Sequence, residues 1–161
     1  MKRLAWAIVL APLLAAAQSP TFTTRSLTPE TALKAAQAAL ARCRADGYQV
    51  SVAVVDRSGI TQAFLRDRFA GPHTVDVAVN KAWSAASFRT NTAEIEKASR
   101  PGQPMAGIRH FSRMTAVGGG VMVEAGGSLL GAIGVSGAPG GDNDEACAVA
   151  GVKAIAEDLE F

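Results

Sequence analysis

The chain has 161 residues, 48% hydrophobic and 19% charged, with a formal net charge of +2. That length and apolar content suffice for one domain with its own core and exclude collagen-like or disordered chains. Aromatics make up only 6%, and there are two His and two Cys, which argues against base-stacking platforms and the usual zinc clusters.

The first 17 residues read as a targeting segment. Lys2 and Arg3 form a positive start, residues 4–14 are apolar, and Ala15, Ala16 and Ala17 supply small residues before Gln18. This pattern predicts a secretory signal peptide at 1–17, because the apolar run falls short of the roughly 20 residues needed to span a bilayer. Lys2 and Arg3 carry the whole +2. The mature chain is therefore neutral, with no electrostatic case for nucleic acid or an anionic membrane. Export to the periplasm or outside the cell also permits a disulfide, for which Cys43 and Cys147 are the candidates. Two buried free thiols are the alternative.

Residues 18–27 are polar and read as an extended segment ahead of a domain at 28–161. Thr28, Pro29 and Glu30 form a helix start, with Leu33, Ala36, Leu40 and Cys43 on one face and Asp46-Gly47 as the stop. Residues 49–56 and 60–67 read as a hairpin around Arg57-Ser58-Gly59. Asp56 in that turn is placed to accept backbone N–H bonds. Residues 74–88 form a helix with a stripe at Val75, Ala78, Val79, Ala82 and Ala86, and Thr90 or Asn91 caps a short helix through Ala98. Short strands are expected at 113–117, 121–124 and 128–136, separated by glycines. Asp142 and Asp144 suit the start of a last helix, striped with Ala148, Val152, Ile155 and Leu159, in which Gly151 implies close packing. Helices and antiparallel hairpins in this order predict an α+β layer fold.

Three stretches then occur in order: VAVVDRSG, NKAWSAASF and VGGGVMVEAGGSLLGAIGVSGAPGGDNDEACAVAG. Together they resemble the GlcG/HbpS family, the haem-binding or haem-degrading domain family, over residues 28–161. The same domain forms the C-terminal part of some corrinoid adenosyltransferases. The resemblance implies a profilin-like sandwich, with a five-stranded antiparallel sheet flanked by helices, and homo-oligomers. It also implies haem as a cofactor for some members, with capture, sensing or peroxide-dependent haem breakdown as activities.

Within that frame His73, in GPHT at the mouth of the central helix, is the candidate haem-iron ligand. Val77 and Asn80 follow at helical spacing near its face, Asn80 as a hydrogen-bonding contact. Lys81 and Arg66 are candidate propionate partners; Arg68 and Arg109 read as surface charge. His110 is the reserve ligand. Met105, Met114 and Met122 read as core filler. The glycine-rich stretches lack GxxxxGK[ST] and any βαβ context, so they read as turns and close approaches. Asp142, Asp144 and Glu145 fit helix capping better than a metal site. No Ser lies in a GxSxG context and no general acid–base pair stands out, so a catalytic set is not assigned. Three readings follow: an exported haem-binding protein, a non-haem accessory subunit that binds a small carboxylate metabolite, or, with the least support in the residues, an enzyme that breaks down haem with peroxide.

Overall fold

The computed structural model describes residues 19–159. In chain order it contains α1 (Pro29–Ala45), β1 (Ser51–Asp56), β2 (Thr61–Arg66), α2 (Thr74–Phe88), α3 (Thr92–Ala98), β3 (Gly120–Ala125), β4 (Ser128–Ser136) and α4 (Gly141–Lys153). Single 3₁₀ turns lie at Ala106–His110 and Glu157–Leu159. The expected signal peptide, residues 1–17, lies outside the described residues. Among the described residues no helix is long and apolar enough to cross a membrane.

The strands form one antiparallel sheet in the order β2-β1-β4-β3. Four strands stand where the resemblance implied five. The stretch 113–117 joins no ladder, because donors in and just after it are met elsewhere: Met114 N–H turns back to Phe111 O at 3.0 Å, and helix side chains take two more. Thr115 N–H donates to Ser84 Oγ at 3.0 Å, and Gly118 N–H donates to Glu96 Oε2 at 3.1 Å. Those bonds satisfy groups that a strand partner would otherwise have to meet.

Residues of β1 from Ser51 to Val55 are buried, so both faces of this central strand are covered. On one face, Val52, Val54, Val123, Ile133 and Val135 pack with α1 and α4. On the other, Ala53, Val55 and Ala132 meet Ala78, Ala82, Ala85 and Ala86 of α2. Small residues let α2 lie close to the sheet. A Cβ at Gly134 would sit 2.1 Å from Ala78 O, so that strand position has room only for glycine.

α1 begins as expected: Thr28 Oγ1 accepts the Thr31 N–H at 3.2 Å, with Pro29 at the first position. Its buried face is Ala32, Ala35, Ala36, Ala39, Leu40 and Cys43, whereas Leu33 is exposed. The alanines, not Leu33, face α4, where a Cβ added at Gly151 would meet Ala35 O at 2.7 Å. Cys43 and Cys147 form a disulfide across this α1–α4 interface, with Cα atoms 5.5 Å apart. α4 ends at Lys153 rather than running to Leu159, and Ile155 in the following turn is fully buried. Met105 is exposed and Met114 and Met122 are half-buried, so none fills the core as expected.

Candidate functional site

The site grows from the loop that joins β2 to α2. Asp67 anchors its start: the carboxylate accepts Arg44 Nε at 2.8 Å and Arg44 Nη2 at 2.9 Å, and also the Arg68 N–H at 2.8 Å. The Arg44 hydrogen bond holds the Asp67 carboxyl down at about 2. Arg66 donates to the Ala70 carbonyl within the same loop. Thr74 closes it, donating Oγ1–H to Gly71 O at 2.6 Å and sharing a buried 2.8 Å hydrogen bond with Ser51 of β1. The loop is thus tied to α1, to the sheet and to itself.

His73 is carried on this braced loop. It occupies the N-cap position of α2 in αR conformation, and its side chain makes no capping bond. The imidazole makes no hydrogen bond with any described residue. It lies against Gly71, where a Cβ would approach its Cε1 and Nδ1 to 2.8 and 2.9 Å. Glycine at 71 therefore lets the ring fold back over the loop.

From His73 a cleft of about 290 Å³ runs between the first half of α2, the end of β4 and the start of α4. Val77 and Val117 give it apolar walls, and the backbone of Ser136 to Ala138 gives it an edge. Lys81 and Asp144 lie at its base, 2% and 4% exposed. The Lys81 ammonium donates to Asp144 Oδ2 at 2.6 Å and to Val135 O at 3.0 Å. Asp144 Oδ1 accepts the Ala138 N–H at 2.9 Å. Burial pushes the Asp144 carboxyl above its ordinary value, and the Lys81 ammonium pulls it part of the way back.

Of the sequence candidates, His73 and Lys81 meet in this cleft. Arg66 bonds the His73 loop from outside the cleft, and half-buried Asn80 is not among the lining residues. His110 is exposed on the Ala106–His110 turn, away from this lining. The Lys81–Asp144 pair was not legible in the sequence. Its partners are 63 residues apart, and an aspartate at a helix start reads as a cap. The N-cap of α4 is instead Gly140, with no side-chain cap bond, and Asp144 turns inward. Glu145 keeps one buried oxygen without a partner, and burial pushes its carboxyl up. Among the described residues no three His, Cys, Asp or Glu side chains converge as a metal site.

Comparison with known proteins matches residues 27–153 to the family described as haem degrading protein HbpS-like. The chain belongs to the HbpS-like family. A double mutant of HbpS from Streptomyces reticuli superposes with a TM-score of 0.78 at 40% identity, covering 90% of this chain and 97% of that one. The ORFY protein of Klebsiella pneumoniae gives 0.84 at 29% identity, covering 88% and 98%. PduOC, solved as a haem complex, gives 0.76 at 27% identity, covering 81% and 95%.

The residues of this cleft fit haem in part. An imidazole with no hydrogen bond to any described residue is a suitable iron donor. Val77 and Val117 suit an apolar ring edge. The volume of about 290 Å³ lies just under the usual range of about 300–1,000 Å³ for enclosed small-molecule sites. The cleft therefore fits part of such a ligand and leaves the rest outside.

Proposed function

We propose that this protein is an exported haem-binding protein that captures or senses haem, with His73 as the iron-ligating side chain. The observation that carries this reading is the imidazole itself: it is exposed at the cleft mouth, hydrogen-bonded to no described residue, and held on a loop braced by Arg44, Arg66 and Thr74. Bound haem would supply a redox-active iron. The chain's own residues position and charge-match the ligand. Val77 and Val117 meet apolar surface. Arg66 is the better of the two propionate partners, because a guanidinium has five N–H donors and the Ala70 carbonyl takes only part of that capacity. The Lys81 ammonium already serves Asp144 and Val135 O, so it sets the polarity of the cleft base. His110 is the reserve ligand.

The proposal includes removal of residues 1–17, a periplasmic or extracellular location, and assembly as a homo-oligomer. The exposed Phe69 and Phe111 offer apolar surface for that assembly. Intact-mass measurement on the exported product checks the cleavage: retention of residues 1–17 contradicts it. Light scattering that returns a monomer mass at micromolar concentration contradicts the assembly. For the function, haemin is titrated into the protein and the Soret band recorded. A saturable, shifted band is expected. Its absence, together with binding of a small carboxylate, favours the non-haem accessory reading.

A further inference from the structure

α2 has a second cavity at its opposite end. The helix runs for 15 residues, about 22 Å, so this cavity is remote from His73. It also measures about 290 Å³ and lies between the β1–β2 turn and the last turns of α2. Arg57, Ser58, Trp83, Ser87 and Arg89 line it, with Gly59 in its wall. No carboxylate is among the lining residues. The polar side chains present two guanidinium groups, an indole N–H and two hydroxyls that can donate.

These donors are uncommitted. The Arg57 and Arg89 guanidinium groups form no ion pair or hydrogen bond with any described residue, and neither does the Trp83 indole N–H. The neighbouring carboxylate, Asp56, is turned into the hairpin, where its Oδ1 accepts the Ser58 and Ile60 N–H groups at 2.8 and 3.0 Å. Trp83 is fixed on two sides. A Cβ at Gly59 would lie 2.5 Å from its Cδ1, and the Arg113 guanidinium stacks 4.9 Å from its ring centroid.

The backbone carries an independent sign. Arg89 has φ 49° and ψ 49°, and is the one non-glycine residue with positive φ among the described residues. It follows the end of α2, where glycine or asparagine is the ordinary choice. An arginine there carries a steric cost that glycine would not, although its backbone N–H still caps the helix on Ala85 O. The exposed Arg89 guanidinium, with no described partner of its own, stands open to a ligand at this cavity.

We propose that this cavity binds a phosphate group, free or as a small monoester. Donors set around one hollow match the several oxygens of a tetrahedral anion, and arginine suits phosphate geometry. Calorimetric titration of the full chain at low ionic strength, with inorganic phosphate, phenyl phosphate and acetate as probes, tests this. Saturable one-to-one binding of a phosphate probe, tighter than acetate, is expected. Tighter binding of phenyl phosphate than of inorganic phosphate assigns the ester, and equal or weaker binding assigns the free anion. Arg57→Gln and Arg89→Gly should each weaken binding about tenfold or more. Arg89→Gly should melt no lower than the wild type, because glycine suits αL, so lost binding there cannot come from unfolding. His73→Ala should bind phosphate like the wild type, which separates this site from the haem reading. No saturable binding, acetate binding as tight as phosphate, or unchanged affinity in both arginine variants would overturn the assignment.

Discussion

Gly71 and His73 act as one unit, because the imidazole occupies the space that a side chain at 71 would need. Gly71→Ala should displace the ring and weaken haemin binding, while stability changes by no more than about 0.5 kcal/mol, as for most surface substitutions. Paired haemin and thermal titrations check this; an unchanged affinity means the ring does not hold its ligand from this position. At the base of the cleft, Lys81 and Asp144 behave differently because both are buried. Lys81→Met should cost about 3–5 kcal/mol by leaving a buried carboxylate without its cation, whereas Lys81→Met with Asp144→Leu should recover much of that. Denaturant unfolding of the two variants measures the difference, and equal stability of Lys81→Met and wild type contradicts the pairing. His73 could be singled out from the sequence because GPHT places a metal-capable side chain at a helix mouth. Lys81 could be seen but its partner could not, since nothing local distinguishes an aspartate that caps a helix from one that turns into the core.

Among the elements, those whose ends are set by local chemistry were legible: α1 by Thr28 and Pro29, and the β1–β2 hairpin by the Asp56 turn. The elements misjudged were those decided by tertiary neighbours. Residues 113–117 stay out of the sheet because Ser84 and Glu96 take the donors of Thr115 and Gly118. α4 stops at Lys153 because the chain turns to bury Ile155. The α1–α4 contact is closed by the Cys43–Cys147 disulfide, whose cysteines are 104 residues apart. A loop of that length predicts a loss of roughly 4–5 kcal/mol when both cysteines become alanine, in the chain-entropy account. Unfolding of that double variant measures it, and two titratable thiols in denatured, unreduced wild type contradict the bridge. The loop before α2 has its own signature in acid. Arg44 lowers the Asp67 carboxyl from an ordinary 3.8 to about 2. The unfolded chain therefore binds this proton first, so the stabilisation is complete above pH 3.8 and fades as pH falls towards about 2. Stability curves of wild type and Asp67→Asn should converge across that window; a constant gap would show that the ion pair is not the source.

For the whole molecule, α2 is the element that links the two proposed sites. Its small residues seat it against the sheet, its first turn presents His73, and its last turn leads to Arg89, so two separate cavities open at its two ends. The antiparallel α+β plan follows from the order of periodic segments. Strand number did not, because a glycine-rich stretch pairs or not according to what lies beside it. The neutral charge of the chain beyond residue 17 also has a consequence: any anionic ligand must be held by particular cations rather than by a general field. The central claim is that the His73 imidazole ligates haem iron. Haemin titration of wild type, His73→Ala and His110→Ala, followed at the Soret band, tests it most directly. The account predicts a shifted, saturable band for wild type and His110→Ala, with a displaced band and weaker binding for His73→Ala; an unchanged band and affinity in His73→Ala would contradict it.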